Sequence, residues 1–378
     1  MKIAVLVSND LVFDQRVKKT CDVLIYNGHQ PVLVGRELPD SPTYRGPGTS
    51  VRFKMNFNTG FMFYAELQRR LINWLKNADI EAIWANDLDT LLPALIVGRK
   101  RGLPVVYDSH EFFTEAAGLT GKPFKRWVWL MIETYTVPRI GRMLTVNQSI
   151  AEKFRGRYSV DVGVLRNMPV LSDVPKIKPR EPFAKYTIPI DKPILLLQGA
   201  FMDRDRGTSD AVEALAILKD VTLVLVGAGI EWEESLARID DARWKGRLFC
   251  IPRLPYLKLR ELTAAADVGL SLDKALHENY QLSLPNKVFD FIHVGLPIVA
   301  SPMVEVKRIV EDYNVGVVIS EVTSDEIASA VETVLSKPRE QWFKSCMTAR
   351  KELHWGVDSH LIEQTLEQAL LQSWVKEQ

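Results

Sequence analysis

The chain has 378 residues, enough for two domains at roughly 100–200 residues each, and its 47% hydrophobic content supports sizeable cores. A net charge of only +1, without an aromatic-basic signature, excludes a nucleic-acid binder. Cys21, Cys250 and Cys346 are odd in number and widely spaced with no CxxC, which excludes a disulfide framework and fits a reducing compartment, and no apolar run approaches the roughly 18 residues of a membrane span.

Lys2–Val7 reads as a buried strand, too short to serve as a signal-peptide core and followed at once by Asp10. Asp14–Tyr26 has helical spacing with Gly28 as its stop, and Pro31–Val34 is the next strand. Residues 36–60 form a Pro-, Gly- and Arg-rich loop in which Val51–Phe57 is strand-like. Helix Phe61–Lys76, strand Ile80–Ala85, helix Thr90–Arg101 and strand Val105–Tyr107 follow. A Trp-rich helix, Phe124–Thr136, leads to strand Met143–Val146 and a helix from Ser149. Such alternation, with near-continuous apolar strands, predicts a parallel sheet covered on both faces.

Residues 169–189 read as a linker, Pro- and Lys-rich. The rhythm then restarts with strand Ile194–Gln198, helix Thr208–Lys219, strands Thr222–Val226 and Leu248–Ile251, helix Leu257–Ala265 and strand Val268–Ser271. After residues 284–301 come strand Val315–Val318, helix Ser324–Ser336 and a helical tail with a turn near Trp355-Gly356. The predicted fold is α/β, with two Rossmann-like doubly wound parallel-sheet domains, 1–168 and 190–355, facing a cleft. Ligands in such sheets bind at the carboxyl ends of the strands.

Charge divides unevenly between the halves. Residues 1–170 carry 23 Lys+Arg against 16 Asp+Glu, and the remainder 25 against 31. A basic N-terminal half suits an anionic membrane surface or an anionic acceptor. Lys122, Lys125 and Arg126 precede Trp127 and Trp129 on one helix. That pattern fits a lipid interface and equally a core helix with solvated ends.

Residues 284–301, LPNKVFDFIHVGLPIVAS, hold the densest signal. Pro285 suits a first helical turn, Val288, Phe289 and Ile292 give one apolar face, and Gly295 followed by Pro297 ends the helix. Asn286 and Lys287 then stand at an open helix start, which attracts phosphate, with Asp290 one turn on to hold sugar hydroxyls. Capping alone also explains Pro285 and Gly295, so spacing leaves an ordinary α/β unit open. After strand Ile194–Gln198, a loop from Gly199 to Gly207 carries Arg204 and Arg206 before a helix start. A loop of that kind can bind a diphosphate. Gly227, ending the next strand, allows close backbone approach.

PNKVFDFIHVGLPIVAS resembles the donor segment of retaining GT-B glycosyltransferases of family four, P-x-K-x-F-E-Y-x-x-x-G-x-P-V-x-A-S. Two departures stand here: Asp290 replaces the family's Glu, and Leu282 occupies the place of a second Glu. The loop resembles the family's G-x-x-x-x-x-[RK]-K-G, with Arg206 at the phosphate-binding Lys and Ala200 where an Arg is usual. By resemblance Arg253 lies where the nucleobase is gripped, and Leu284 heads the donor segment. Tyr107-Asp108-Ser109-His110-Glu111 resembles D-x-H-E, whose His lies near the transferred sugar. Asp87 ends the neighbouring strand, where it would touch an acceptor or orient His110. Asn9 and Arg16 line the first strand-to-helix loop, where the family's acceptors bind, as Glu111 would beside them. The resemblance also implies that the helix at about 356–378 packs back on the N-terminal domain.

The expected activity is therefore retaining transfer from a nucleotide-sugar to a saccharide or lipid-linked saccharide, in cell-surface polysaccharide or glycolipid assembly. His110, Arg206 and Lys287 would be catalytic, and the donor-binding set would be Gly199, Arg204, Gly227, Arg253, Leu284, Asn286 and Asp290. No cofactor or metal is expected, because arginines interleave with Asp203 and Asp205 and already supply cationic stabilisation. The expected location is cytoplasmic, at most peripheral on an anionic membrane. A sugar-nucleotide epimerase of the same fold and a non-catalytic scaffold subunit are the rivals.

Overall fold

The structure, a computed structural model, describes residues 1–12, 14–175 and 179–375. Part of the expected linker (176–178) and the last three residues of the expected terminal helix lie outside the described residues. The chain forms two compact units, Met1–Asn167 with Asp358–Gln378, and Met168–Val357.

The first unit holds a seven-stranded parallel sheet. Its strands are β1 (Lys2–Asp10), β2 (Gln30–Glu37), β3 (Thr49–Lys54), β4 (Ala82–Asn86), β5 (Val105–Ser109), β6 (Arg142–Thr145) and β7 (Asp161–Val164). The order is β3-β2-β1-β4-β5-β6-β7. Residues Ile3–Val7 of β1 are buried because β1 is an interior strand, between β2 and β4, with helices on both faces. Asp14 starts the following helix, its Oδ1 accepting the Val17 N–H at 3.0 Å, an N-cap bond that satisfies a donor the helix leaves open.

The second unit repeats the plan with six parallel strands. These are β8 (Ile194–Gly199), β9 (Thr222–Gly227), β10 (Leu248–Pro252), β11 (Val268–Ser271), β12 (Ile298–Ala300) and β13 (Gly316–Val318), in the order β10-β9-β8-β11-β12-β13. Both sheets change winding direction between neighbours, at β1/β4 and at β8/β11.

One strand and three α-helices fall outside the expectation, β7 and the helices Ile230–Leu236, Glu278–Gln281 and Val304–Asp312, as do the short 3-10 turns such as Glu181–Tyr186. Conversely, the helix expected over 208–219 stops at Ala214 and continues as turns. The β3 strand is Thr49–Lys54, earlier than Val51–Phe57, because its register is set by pairing Val32–Glu37 with Thr49–Lys54.

The helix Asn286–Val294 takes Pro285 as its N-cap and Gly295 as a left-handed C-cap at φ 79°. A Cβ on Gly295 would also lie 2.2 Å from the Phe343 ring. The last helix, His360–Val375, belongs to the first unit, where it packs on β5, β6 and the helix Gln15–Tyr26. Ile362, Thr365 and Leu366 are fully buried there, and Glu363 meets His29 Nε2 at 3.1 Å.

Candidate functional site

A doubly wound sheet leaves a crevice outside the carboxyl ends of its strands where the winding reverses. In the second unit that place holds a cavity of about 480 Å³. Gly199, Arg206, Gly227, Arg253, Asn286, Lys287 and Asp290 all line it. Four separate chain segments therefore meet at one point: the loop after β8, the end of β9, the residues after β10, and the start of the Asn286–Val294 helix.

Two cations are joined there by a carboxylate that sequence reasoning missed. Arg206 NH1 lies 2.7 Å from Asp273 Oδ1, and Lys287 Nζ lies 3.0 Å from Oδ2. Asp273 stands two residues past the end of β11 and is 1% exposed. Burial pushes its carboxyl up, but the Lys287 and Arg206 charges outweigh that and hold it below the ordinary carboxylate value. The Arg206 guanidinium also stands over the Tyr280 ring at 4.9 Å, a cation–π contact that fixes its plane.

The helix start beside them carries no side-chain cap on its N–H groups. Free N–H donors and the positive helix end add to the field of the two cations. On the same helix Asp290 accepts from the Tyr256 hydroxyl at 3.4 Å, and burial together with the Asp290 charge pushes that phenol up to about 12. Arg253 donates through Nε to the Ala200 carbonyl at 2.8 Å and covers the Phe201 ring at 4.3 Å. It thereby ties β10 to the loop after β8.

Gly227 and Gly199 are partners in register. A Cβ on Gly227 would stand 1.9 Å from the Gly199 carbonyl oxygen, so close approach, rather than turn geometry, requires glycine there.

Three expectations in this unit need correction. Arg204 points to the surface, where it pairs with Glu234 at 2.7 Å, both largely exposed, and it does not line the cavity. Leu284 packs against the core behind the helix and does not reach the cavity either. The helix start at Thr208 is already occupied: the buried Glu231 carboxylate accepts the Ser209 N–H through Oε2 at 3.3 Å. A phosphate would have to displace Glu231 to bind there.

In the first unit the residues at the carboxyl ends of β4 and β5 form a second cluster. His110 Nδ1 lies 3.5 Å from Asp87 Oδ2, and Nε2 lies 3.4 Å from Asp108 Oδ2 and 3.2 Å from Asn86 Oδ1. Burial opposes charge on the ring, but Asp87 and Asp108 overcome it and push the imidazole up to about 9. At neutral pH it is an imidazolium, suited to donating hydrogen bonds and stabilising charge rather than to acting as a base. Asp87 pays a backbone cost to stand there, at φ 61° and ψ 164°, a region that suits glycine and costs a carboxylate-bearing residue about 1–3 kcal/mol. The position holds because its N–H donates to the Asp108 carbonyl at 2.9 Å and its Oδ1 accepts the His110 N–H at 2.8 Å.

Arg16 is a fourth correction. Its Nε and NH2 form a fork onto Asp108 at 3.0 and 2.6 Å, and NH1 donates to the Leu165 carbonyl at 2.6 Å. Both partners of the ion pair are buried, so Arg16 braces Asp108 instead of facing a ligand. Asn9 is exposed and donates to Asp14 Oδ2 at 3.0 Å. Glu111 is half-buried, and its charge reaches both Tyr64 and Asp89. Burial first, then the Asp87 charge, pushes the buried Asp89 carboxyl up to about 7. Among the described residues no group of three or more His, Cys, Asp or Glu is arranged to hold a metal ion.

A family model described as a glycosyl transferase 4-like domain matches residues 15–168, and one described as glycosyl transferases group 1 matches residues 192–337. No curated protein matches the sequence. Among solved structures the chain is similar to sucrose-phosphate synthase from Thermosynechococcus elongatus, at 16% identity and a TM-score of 0.80, covering 98% of this chain and 99% of that one. It is similar to Anabaena HepE in complex with UDP-glucose at 15% identity and a TM-score of 0.74, covering 97% and 100%. It is also similar to WaaG, a glycosyltransferase involved in lipopolysaccharide biosynthesis, at 16% identity and a TM-score of 0.69, covering 97% and 98%. At such identities the likeness shows the fold alone.

Proposed function

The chain belongs to the group 1 glycosyltransferases of GT-B fold, and from that premise we propose that it moves a sugar, with retention, from a nucleotide-sugar to a hydroxyl of a saccharide or lipid-linked saccharide. The observation that carries this reading is the convergence of Arg206 and Lys287 beside an open helix start in one cavity. The donor diphosphate lies against those two cations, Asp290 takes the ribose hydroxyls, and Arg253 frames the base end. Relatives of this fold are solved with UDP and with UDP-glucose, which makes a UDP-sugar the first donor to test.

Catalysis on this reading is electrostatic. As the glycosidic bond breaks, negative charge grows on the departing diphosphate, and preorganised cations and N–H donors stabilise it without reorganising. The acceptor hydroxyl attacks from the leaving-group face, and a phosphate oxygen takes its proton. The imidazolium of His110, in the other unit, has the chemistry of a hydrogen-bond donor to a sugar hydroxyl. Arg206 and Lys287 supply the charge a metal would bring, so the reaction runs without one. Assembly of a cell-surface polysaccharide or glycolipid, with peripheral contact at an anionic membrane, is the setting we favour; WaaG, of the same fold, acts in lipopolysaccharide biosynthesis.

A thermal-shift screen of UDP-, GDP- and ADP-sugars followed by an assay of sugar release tests the proposal. The expected result is stabilisation by one nucleotide class with slow release of its sugar, both unchanged by EDTA. Interconversion of donor sugars would make the protein an epimerase, and binding without release a scaffold. Loss of release in EDTA with recovery on adding magnesium or manganese would overturn metal independence.

A further inference from the structure

The helix Pro123–Thr136 is apolar on both its sides. Trp129, Glu133 and Thr136 are buried, and Val128, Leu130 and Ile132 are half-buried. Its outward face carries Phe124, Trp127, Met131 and Tyr135, which are 73%, 56%, 56% and 47% exposed. Their spacing of three, four and four residues puts all four on one stripe of an α-helix. An ordinary surface helix turns a polar face outward, and a run of large apolar side chains turned to solvent marks an interaction surface.

The charges around the stripe say what it meets. No Asp or Glu occurs between Glu115 and Glu133, whereas Lys122, Lys125 and Arg126 crowd the helix start. Lys122 and Lys125 are exposed. Arg139, just past the helix end, is exposed too, and its guanidinium covers the Tyr135 ring at 4.2 Å. The helix start is itself the positive end of the dipole, so cations there add to a positive field instead of cancelling it. Trp and Tyr bodies with polar tips, rimmed by Lys and Arg, suit the headgroup region of a bilayer. No described helix is long and apolar enough to cross a membrane, so the helix would lie in the interface plane.

We propose that this face docks the first unit onto an anionic lipid surface, with Phe124, Trp127, Met131 and Tyr135 entering the acyl boundary and Lys122 and Lys125 meeting the headgroups. The inference names the surface by which an enzyme with a lipid-linked acceptor reaches its substrate. It rests on the proposed function for its purpose but not for its measurement.

Co-sedimentation of the full chain with vesicles tests it. Vesicles of phosphatidylcholine with about one third phosphatidylglycerol should pellet the protein, and pure phosphatidylcholine vesicles should leave most of it in solution. Trp127→Ser/Met131→Ser should keep the wild-type melting temperature, because both side chains are exposed, and lose about tenfold or more in partitioning. Lys122→Glu/Lys125→Glu, which removes no packing, should abolish the preference for anionic vesicles and keeps the test decisive if the first pair folds poorly. Wild-type protein that stays in solution with both vesicles would overturn the proposal. So would a concentration-dependent dimer that the Trp127/Met131 pair abolishes, since the face would then be covered by a second copy. Slow sugar release from the donor is measured alongside and should be unchanged in both variants. Its absence from the wild type would sink the proposed function while leaving the vesicle result standing.

Discussion

Lys287 reaches Asp273 across 3.0 Å, and the carboxylate it meets is 1% exposed. The second oxygen of the same group holds Arg206. Side by side in a partly buried cavity, the two cations would repel each other and turn outward. Asp273 removes that repulsion and fixes the gap between them, which makes it a positioning residue for the diphosphate site.

Asp273→Asn separates positioning from charge. The amide keeps one acceptor but leaves the cavity more positive by one unit. Nucleoside-diphosphate affinity should therefore hold or rise, while kcat falls about tenfold or more because the cations no longer sit where the transition-state charge develops. Isothermal titration with the diphosphate and steady-state kinetics check both halves. Parallel losses in affinity and kcat would show that Asp273 acts only through folding.

The His110 cluster predicts an alkaline limb to stability. Asp87 and Asp108 raise the folded imidazole from its ordinary 6.5 to about 9, against the opposing effect of burial. A raised folded value means that the stabilisation is fully present below about 6.5 and is lost as pH climbs through about 9. The loss approaches about 3 kcal/mol at most, from 1.36 kcal/mol per pH unit. Melting temperatures from pH 6 to 10 should fall for the wild type and run flatter for His110→Gln. Equal slopes for the two proteins would show that the imidazolium is not the titrating group.

Much of this was legible in the sequence, and the rest failed for physical reasons. The buried strands β1, β4, β8 and β9 announce themselves as apolar runs, and Gly295 and Lys287 stand where the helix grammar places them. Asp273 gave no signal, because a carboxylate beside Lys274 after a short strand reads as solvated loop until its tertiary partners are known. Arg16 misled for the matching reason. A cation in a strand-to-helix loop reads as a ligand contact, and only the fold reveals Asp108 and the Leu165 carbonyl around it. The helix Val304–Asp312 does carry a signal, since Val306, Ile309 and Val310 repeat at helical spacing and are buried. The strand β7 carries none, being four residues long with a glycine inside it.

Gly227 and Gly199 face each other across one strand pair but should respond differently to alanine. At Gly227 the new methyl meets a backbone oxygen at 1.9 Å, so β8 and β9 must part and the cavity wall with them. At Gly199 the nearest atom lies at 3.8 Å, so the fold accepts the methyl and only the cavity shrinks. Gly227→Ala should lower the melting temperature and donor binding together, by an amount typical of overpacking, about 1–3 kcal/mol. Gly199→Ala should leave melting unchanged and raise the donor KM. Differential scanning fluorimetry and kinetics on the pair decide it.

Removing residues 359–378 should destabilise the first unit without touching a residue of the cavity. The His360–Val375 helix buries Ile362 and Leu366, each worth about 1.5–3 kcal/mol when fully buried, and Glu363 pairs with His29. At roughly 2–4 °C per kcal/mol for a domain of this size, the melting temperature should drop on the order of 10 °C. Unchanged melting and activity in the truncated chain would mean that the helix is dispensable where it packs.

Arg206 bears most directly on the proposed chemistry. Arg206→Ala removes a guanidinium placed to meet a diphosphate whose charge grows as the glycosidic bond breaks, so the loss should appear in kcat as well as in KM. A charge-assisted bond, net of water, is worth about 1.5–3 kcal/mol, which corresponds to about a 10- to 150-fold fall in kcat/KM. Arg206→Lys, which keeps a charge for Asp273 and the diphosphate, should recover part of it. The melting temperature of Arg206→Ala needs measuring too, because Asp273 is left with Lys287 alone. Asp290→Asn should act chiefly on donor affinity, since ribose hydroxyls carry no developing charge. Asp290→Glu, which restores the family's usual residue, should be tolerated provided Tyr256 can follow the longer side chain. If Arg206→Ala folds normally and turns over the donor like the wild type, the diphosphate binds away from Asp273 and its two cations.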